Sequence, residues 1–435
     1  MVGTVGTSIL RLGLLGLVVG LPSLAADKVL VDRLLELARS QPNSSSFRSE
    51  LIAAMGEESI KNATAIVGHG PRFIWALESE AQPALYVNDE TIRETMRRIG
   101  TTNTWFHEGR LQTGIAHKFH YVVNGTVVGG ANDIPAYTPD SYEQPGVPQG
   151  KLSEKQVHVS KVYEGMETNF WVYVPAQYDP STPAAFMVWQ DGERFSGRNT
   201  EEVCRLCPSL YRVQEVTDNL IHQKKIPVMI HLFVSPGMRN GESLRSIQYD
   251  SVTDRYSRFL LEEILPEIHA EYNVRRDAYS RAIQGQSSGG ICAFNVTWHR
   301  PDQFSRVASH IGTFVPLALR RGEPEAGHLY PTWVRMNARK NIRVWISDNS
   351  DDNESRGGSW PLQNIQMANS LKLAGYDFRF EFGGGTHHAA LWAAKLPEAL
   401  TWLWRDYDQN KTGQIFEQDP KEKELPVFRV KVYNR

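Results

Sequence analysis

An α/β fold with a mostly parallel sheet and helices on both faces, preceded by a small all-β sandwich, is what the order of patterns along this chain predicts. Three observations carry that expectation. From about Ala63 to Tyr137 the apolar residues fall in short runs between turns, as in an antiparallel sandwich. Beyond a Pro-rich break, strand-like runs alternate with helical ones, the order that a parallel sheet with crossover helices requires. Within that second region Gly285-Gln286-Ser287-Ser288-Gly289-Gly290 stands between a short apolar run and an amphipathic one, so that it reads strand, Gly-x-Ser-x-Gly, helix.

Taken in order, the chain opens with Arg11, an apolar run from Leu12 to Leu21, and Pro22-Ser23-Leu24-Ala25-Ala26 with small residues where a signal peptidase needs them. Residues 1–25 are therefore expected to be a secretory signal, and the mature protein to be soluble and exported, periplasmic or secreted. No later stretch approaches the roughly 18 apolar residues of a membrane span. Residues 26–62 form a helical lead-in, on the spacing of Leu30, Leu34 and Leu37 and then of Leu51, Ile52 and Met55. The sandwich strands are Phe73–Leu77, Ala84–Val87, Thr104–Phe106 and Lys118–Val123, the last running into Asn124-Gly125, a strong hairpin signal. Pro135, Pro139, Pro145 and Pro148 mark a connector that completes a first unit over 63–150.

A second unit over 151–410 follows. Its expected elements are strands at Phe170–Val174, Ala185–Trp189 and Val228–Val234, a long helix over Tyr256–Tyr272, the Ser287 elbow and a strand at Ile342–Ile346. A helix over Pro361–Ala374, a strand at Phe378–Phe382 and a last helix over Pro397–Tyr407 complete it, and 411–435 reads as a polar tail. With 435 residues, 41% hydrophobic content and 11 Trp, the chain has ample material for two cores. A formal charge of −2, without a basic block interleaved with aromatics, disfavours nucleic acid as a partner.

The elbow carries the chemistry. Glycines two residues either side of Ser287 let the backbone turn sharply and expose the hydroxyl, while Ser288 is flanked at that spacing by Gln286 and Gly290. Serine needs a base to take its proton, and the base needs a third group to hold its tautomer. In this architecture they follow the nucleophile in the order acid, then histidine. Gly383-Gly384-Gly385-Thr386-His387-His388 supplies two candidate bases, and Ser347-Asp348-Asn349-Ser350-Asp351-Asp352-Asn353-Glu354 supplies four candidate acids. An oxyanion needs two backbone N–H donors. Ser288 is one, and Gly192, in Gln190-Asp191-Gly192 after an apolar strand, is the other. Trp189, Arg194, Trp360 and Trp392 lie within a few residues of these motifs and are candidates to line the pocket.

Gln190-Asp191-Gly192, the Ser287 elbow, the acidic loop after Ile346 and Gly385-Thr386-His387 together resemble the enterochelin-esterase-like family of α/β-hydrolases. The likeness spans roughly residues 63 to 405 by motif and domain order. It implies an α/β-hydrolase catalytic domain preceded by an immunoglobulin-like domain, and a Ser-His-Asp esterase that works through an acyl-enzyme without a cofactor. In that family the base directly follows a Gly-x or Gly-Gly pair, which selects His387. The acid lies three residues after a glycine beyond the strand; Asn349 holds that place, so the match selects Asp352, with Asp348 and Asp351 as alternatives. The partner expected is a small-molecule or glycan ester. The same resemblance extends to feruloyl and acetyl-xylan esterases, and a non-catalytic glycan-binding protein on a hydrolase scaffold is the reading from another class.

Other signals carry less. Cys204-x-x-Cys207 lacks a second pair for zinc and leaves a local disulfide or two thiols open, and Cys292 reads as a small buried side chain. Asp408 to Asp419 matches part of an EF-hand loop but ends in Asp, and Pro420 with the charged run after it offers no exit helix, so no metal is expected. His117 and His120 read as strand residues with imidazoles near the surface. Of the sequons at Asn43, Asn62, Asn124, Asn295 and Asn410, Asn295 lies in the elbow helix, where a glycan has no room.

Overall fold

The computed structural model describes residues 28–88, 92–196 and 210–424; the expected signal sequence and the Cys204/Cys207 pair lie outside the described residues. The lead-in is three helices, Lys28–Ser40, Ser45–Met55 and Glu57–Lys61, and Ser44 caps the second by accepting the Phe47 amide at 3.1 Å. Their apolar stripe (Val31, Leu34, Phe47, Leu51) packs on Ala65, Val67, Ile74 and Ala76. Those four residues form the outer face of an antiparallel sheet ordered Ala65–His69, Arg72–Glu78, Thr104–Arg110, Arg97–Arg98. The inner face of that sheet, with Ile66, Phe73, Trp75 and Leu77, meets Leu85, Val87, Phe119 and Ile134 of a second four-stranded antiparallel sheet. The run Phe73–Leu77 is apolar throughout because helices cover one face of its strand and a sheet covers the other.

The second sheet contains the hairpin Ile115–Val123 and Thr126–Ala136, closed by Asn124 (φ 51°) and Gly125 (φ 79°), a type I′ turn as the sequence implies. The pairs Phe119/Ala131 and His117/Ile134 leave Asn132 and Asp133 opposite Lys118 alone, which is a β-bulge. Ile134–Ala136 are strand and not connector, and only a single 3₁₀ turn, Pro139–Ser141, interrupts the stretch up to Gly150. His117 is buried rather than superficial: its ring bonds Gln112 O at 2.8 Å and approaches Asn88 Nδ2 at 3.3 Å, polar partners that let an imidazole leave the surface.

The large sheet runs through β1 (Met166–Val174), β2 (Ala185–Gln190), β3 (Met229–Val234), β4 (Arg281–Gln286), β5 (Arg306–His310), β6 (Arg343–Asn349) and β7 (Asp377–Gly383). Their spatial order is β1-β3-β2-β4-β5-β6-β7, with β3 to β7 mutually parallel and β1 antiparallel. Gln156–Ser160 and Lys151–Leu152 add further antiparallel pairing to β1, so the sheet is mixed with a parallel centre. The chain reverses its direction of travel between β2 and β4, the crevice where open α/β sheets bind ligands at their carboxyl ends.

Four of the helices that cover its faces are α1 (Val213–His222), α2 (Ser288–His299), α3 (Trp360–Leu373) and α4 (Ala390–Leu403). Alternation along the strands divides the core. Phe186, Val188, Ile283, Val344 and Ile346 face α2, α3 and the helical run 255–271, whereas Met187, Trp189, Ala282, Ala308 and Trp345 face α1 and α4.

Several expectations need correction. The last helix begins at Ala390 rather than Pro397, which it holds in its interior, and it stops at Leu403. The helix expected over Tyr256–Tyr272 contains a π-turn, Leu260–Ile264. Strand β6 extends to Asn349, so Asp348 belongs to a strand and not to the loop. The tail is anchored: Phe416 is buried, Arg339 donates to its carbonyl at 2.5 Å, and Pro420–Glu424 does form one helical turn. Among the described residues no helix is long and apolar enough to cross a membrane, and no group of three or more His, Cys, Asp or Glu side chains is placed to hold a metal ion.

Candidate active site

Ser287 stands between the end of β4 and the first residue of α2, with φ 54° and ψ −122°, a conformation that costs a non-glycine residue free energy and is typical of functional elbows. Its neighbours explain why the turn must be small. A Cβ on Gly285 would lie 2.0 Å from Gly289 O, and one on Gly290 would lie 2.8 Å from Ser309 Oγ. The elbow is tied from behind by Ser287 N donating to His310 O at 3.0 Å and by Thr313 N donating to Ser287 O at 3.1 Å. Thr313 follows Ile311, a β-branched residue held at φ 44°. The Thr313 hydroxyl lies 3.4 Å from Ser287 Oγ and accepts from Trp360 Nε1 at 3.3 Å.

Of the two histidines, His387 reaches the elbow. Its Nε2 lies 2.8 Å from Ser287 Oγ, and its Nδ1 bonds Asp352 Oδ1. The neighbouring His388 turns away, its Nδ1 accepting the Ala390 amide at 3.2 Å. Among the candidate acids, Asp351 points outward to Lys118 Nζ at 3.2 Å. Asp348 is wholly buried beside Asp352 without touching His387. Burial pushes the Asp352 carboxyl up, but hydrogen bonds from His387 and Asp348, the His387 charge and the Asn353 amide outweigh it, leaving the group below the usual carboxylate range. For Asp348 burial and the adjacent carboxylate act together and raise it well above that range, so the pair holds its proton on Asp348.

Acid and base loops are zipped together beyond the ends of β6 and β7. Ser350 N donates to Gly383 O at 2.8 Å, and Asp351 N donates to Gly385 O at 2.9 Å. Asn349 Nδ2 adds bonds to Thr386 O at 2.6 Å and to His388 O at 3.1 Å. Asn349 occupies the place where the family pattern has glycine, and its amide supplies a cross-link that glycine lacks.

Gly192 and Ser288 each stand first in a helical turn, where an N–H has no partner within its own turn. They sit at the carboxyl ends of β2 and β4, the two strands that flank the crevice. The glycine at 192 is required by packing, since a Cβ there would lie 2.3 Å from the Phe233 carbonyl carbon on β3. Asp191, in left-handed backbone at φ 60°, is clamped by Arg245 through two bonds of 2.7 and 2.8 Å.

The aromatic candidates divide. Trp360 meets His387 edge-on at 5.8 Å between ring centres. Arg194 is half-buried and donates to the Tyr211 hydroxyl at 3.3 Å, which in turn donates to Gln286 Oε1 at 3.0 Å, beside the elbow. Trp189 and Trp392 do not line a pocket. Strand alternation turns Trp189 to the α1/α4 face, where its Nε1 donates to His231 Nδ1 at 2.9 Å, and Trp392 stacks on buried His310 from within α4. Proximity in sequence to a motif says nothing about which face a strand residue takes.

Sequence reasoning passed over Thr313, Tyr211 and Arg245. All three come from segments without a motif, and the signal available for them was only a polar residue next to apolar ones.

The Esterase family model, described as "Putative esterase", matches residues 161–403. An uncharacterised protein of Bacillus subtilis strain 168, YbbA, is 21% identical over 275 residues, which cover 59% of this chain and 97% of that protein. Among solved structures, an enterobactin esterase from Shigella flexneri aligns with a TM-score of 0.50 at 15% identity, over 78% of this chain and 98% of that one. The ferric enterobactin esterase of Salmonella typhimurium gives 0.50 at 16%, over 77% and 93%. At such identities the likeness to the solved structures establishes the fold, an α/β-hydrolase type with a mixed sheet.

Proposed function

This chain belongs to the Esterase family and is a carboxylic ester hydrolase, and from that premise we propose that it works as a serine esterase with Ser287 as nucleophile, His387 as base and Asp352 as acid. The observation that carries the reading is the 2.8 Å approach of His387 Nε2 to Ser287 Oγ while Asp352 holds Nδ1. Ser287 Oγ attacks the ester carbonyl as its proton passes to His387 Nε2. The amides of Gly192 and Ser288 receive the oxyanion, aided by the N-terminus of α2. The imidazolium then protonates the leaving alkoxide, and water enters by the same route to release the acid and restore Ser287. Asp352, held below the usual carboxylate range, stays ionised to face the imidazolium.

The substrate class we favour is that of the enterochelin esterases, an ester with an aromatic acyl or sugar portion. The motif order, the Trp360 ring beside His387 and half-buried Arg194 support it. A feruloyl or acetyl sugar ester is the second reading, supported by the same ring. We read 63–150 as an immunoglobulin-like domain with its connector, 151–410 as the catalytic domain, and the N-terminal 1–25 as a signal that exports the protein to the periplasm or beyond.

Turnover of p-nitrophenyl acetate by the wild type and by Ser287→Ala tests the reaction. The variant is expected to lose about 10⁴-fold or more in kcat. Equal rates for the two proteins would end the assignment.

A further inference from the structure

The β-bulge in the sandwich hairpin lies against the loop that carries His387. Asp133 is the bulged residue, held at φ 59° and almost fully buried. Its Oδ1 accepts the Thr386 amide at 2.9 Å, and its Oδ2 accepts the Thr386 hydroxyl at 2.5 Å. Thr386 immediately precedes His387. The approach is close enough that a Cβ on Gly385 would lie 2.7 Å from Asp133 Oδ1, and Gly385 itself adopts φ 143°. The residue opposite the bulge, Lys118, reaches Asp351 in the acid loop at 3.2 Å. Ala116 of the same hairpin packs against Ala390 and Leu391 at the start of α4.

A regular strand would alternate its side chains between the two faces of the sheet. The extra residue in the bulge breaks the alternation and re-aims one carboxylate sideways, out of the sandwich and into the base loop. The left-handed backbone that this needs is one that Asp tolerates better than most residues. Two glycines at 384 and 385 leave the base loop with wide backbone freedom, which two charge-assisted hydrogen bonds on the next residue remove.

We propose that Asp133 is a positioning residue for the base: acting through Thr386, it holds His387 Nε2 in line with Ser287 Oγ, so that the sandwich completes the active site. The inference rests on the serine-esterase reading above. Asp133 does not touch the reacting atoms, and its effect is on the geometry of proton transfer rather than on substrate affinity.

The test compares Asp133→Ala, Asp133→Asn, Thr386→Val, Thr386→Ser and their Ala/Val double variant on p-nitrophenyl acetate. Thermal unfolding and the downfield proton resonance of His387 Nδ1–H are recorded for each. Asp133→Ala and Thr386→Val are each expected to lower kcat about 10- to 100-fold with KM changed little, since a displacement of about 1 Å at a catalytic group has that size of effect. The double variant should be no worse than Asp133→Ala alone, because that substitution already removes both bonds, of which Thr386→Val removes the one from the hydroxyl. Asp133→Asn should fall between, and Thr386→Ser should remain near the wild type. The Nδ1–H resonance should broaden in the two damaging variants and persist in Thr386→Ser. Should Asp133→Ala fail to fold, Thr386→Val decides, since it leaves the sandwich untouched. Wild-type kcat in Thr386→Val, or a loss expressed only in KM, overturns the inference. The outcomes separate from the parent reading: an inactive Ser287→Ala beside a fully active Asp133→Ala sinks this inference alone, whereas an active Ser287→Ala sinks the esterase assignment.

Discussion

The two ends of the parallel sheet bury polar residues in opposite ways. At the amino ends of β4, β5 and β6 stand Arg281, Arg306 and Arg343, the last two in register, all nearly inaccessible to water. Arg343 has a counter-charge, whereas Arg281 and Arg306 are held by carbonyls, an amide and rings, and burial pushes them down to about 10 and about 9. Arg343 pairs with Asp377 at 2.7 Å and donates to Arg405 O, and Arg281 donates to Arg275 O and Gln303 Oε1. Arg306 donates to Leu403 O and lies among the rings of Tyr279, Trp404 and Phe416 at 4.7 to 5.1 Å. At the carboxyl ends the backbone takes unfavourable angles at Asp191, Ser287 and Ile311, and two carboxyl groups, Asp348 and Asp352, are buried side by side. One end braces the sheet and the other carries the residues that react. Stability and activity should therefore respond to different substitutions.

The largest effect that would separate the two ends is at Asp377, which faces both Arg343 and Arg405. Asp377→Asn leaves guanidinium charge buried without its counter-charge and should lower unfolding free energy by about 3–5 kcal/mol. At temperatures where the variant remains folded, kcat should match the wild type. Ser287→Ala is the mirror case, with turnover lost and the melting temperature little moved. If Asp377→Asn reduced kcat and stability together, the division between ends would fail.

The next effect is in pH dependence. Burial pushes His231 down to about 3 and His310 down to about 4. Between those values and the usual histidine range near 6.5, the unfolded chain binds protons that the folded chain does not, so stability falls as the solution is acidified. The slope should be about 1.4 kcal/mol per pH unit for each such histidine. Denaturant titrations at pH 7, 6 and 5 should show it, and His231→Gln should flatten it by one group. At the arginine end the guanidinium groups stay charged throughout, and the slope there comes from His269 beside Arg281, pushed down to about 4 by burial and by the charges of Arg281 and Arg276. Asp348, kept protonated by burial and the adjacent carboxylate, gives a slope of opposite sign, so the comparison of the two proteins decides: equal slopes for the wild type and His231→Gln would contradict a buried neutral imidazole.

The smallest effects tell apart tryptophans that the sequence presents alike. Trp189→Phe should cost about 1 kcal/mol through the lost bond to His231 and leave kcat/KM unchanged. Trp360→Phe should change KM for aromatic esters with little loss of stability. A reversal of those two outcomes would mean that Trp189, and not Trp360, faces the substrate.

Much of this was legible. The elbow announces itself because glycine spacing and a change of hydrophobic period coincide at one serine, and the Gly-rich loop announces a histidine that must swing. Strands such as Ala185–Gln190 show as apolar runs. Strand β5 escaped because Arg306, Ser309 and His310 read as surface while in the fold each is buried, Arg306 and His310 on specific partners. Helix α1 escaped for the same reason, since Gln214, Glu215, Asp218 and Asn219 are polar by type and buried by position. The start of α4 was misjudged because Pro397 resembles a first-turn proline. The apolar run of Ala389–Ala394 lets the helix begin about two turns earlier and absorb it. Asp133 had no signal at all, because a bulge depends on pairing between strands and leaves no period in one strand.

The backbone bonds that join Ser350 to Gly383 and Asp351 to Gly385 bear on how such a site can be rebuilt. They make the acid and the base a single cartridge at the β6/β7 edge of the sheet, separate from the nucleophile, which arrives on β4. Lengthening either loop should shift Asp352 and His387 together with respect to Ser287, leaving their mutual contact whole while opening the gap to the serine. A hydrolase built this way can have its acid–base half exchanged by swapping β6, β7 and the loops between them and α4, without redesigning the elbow.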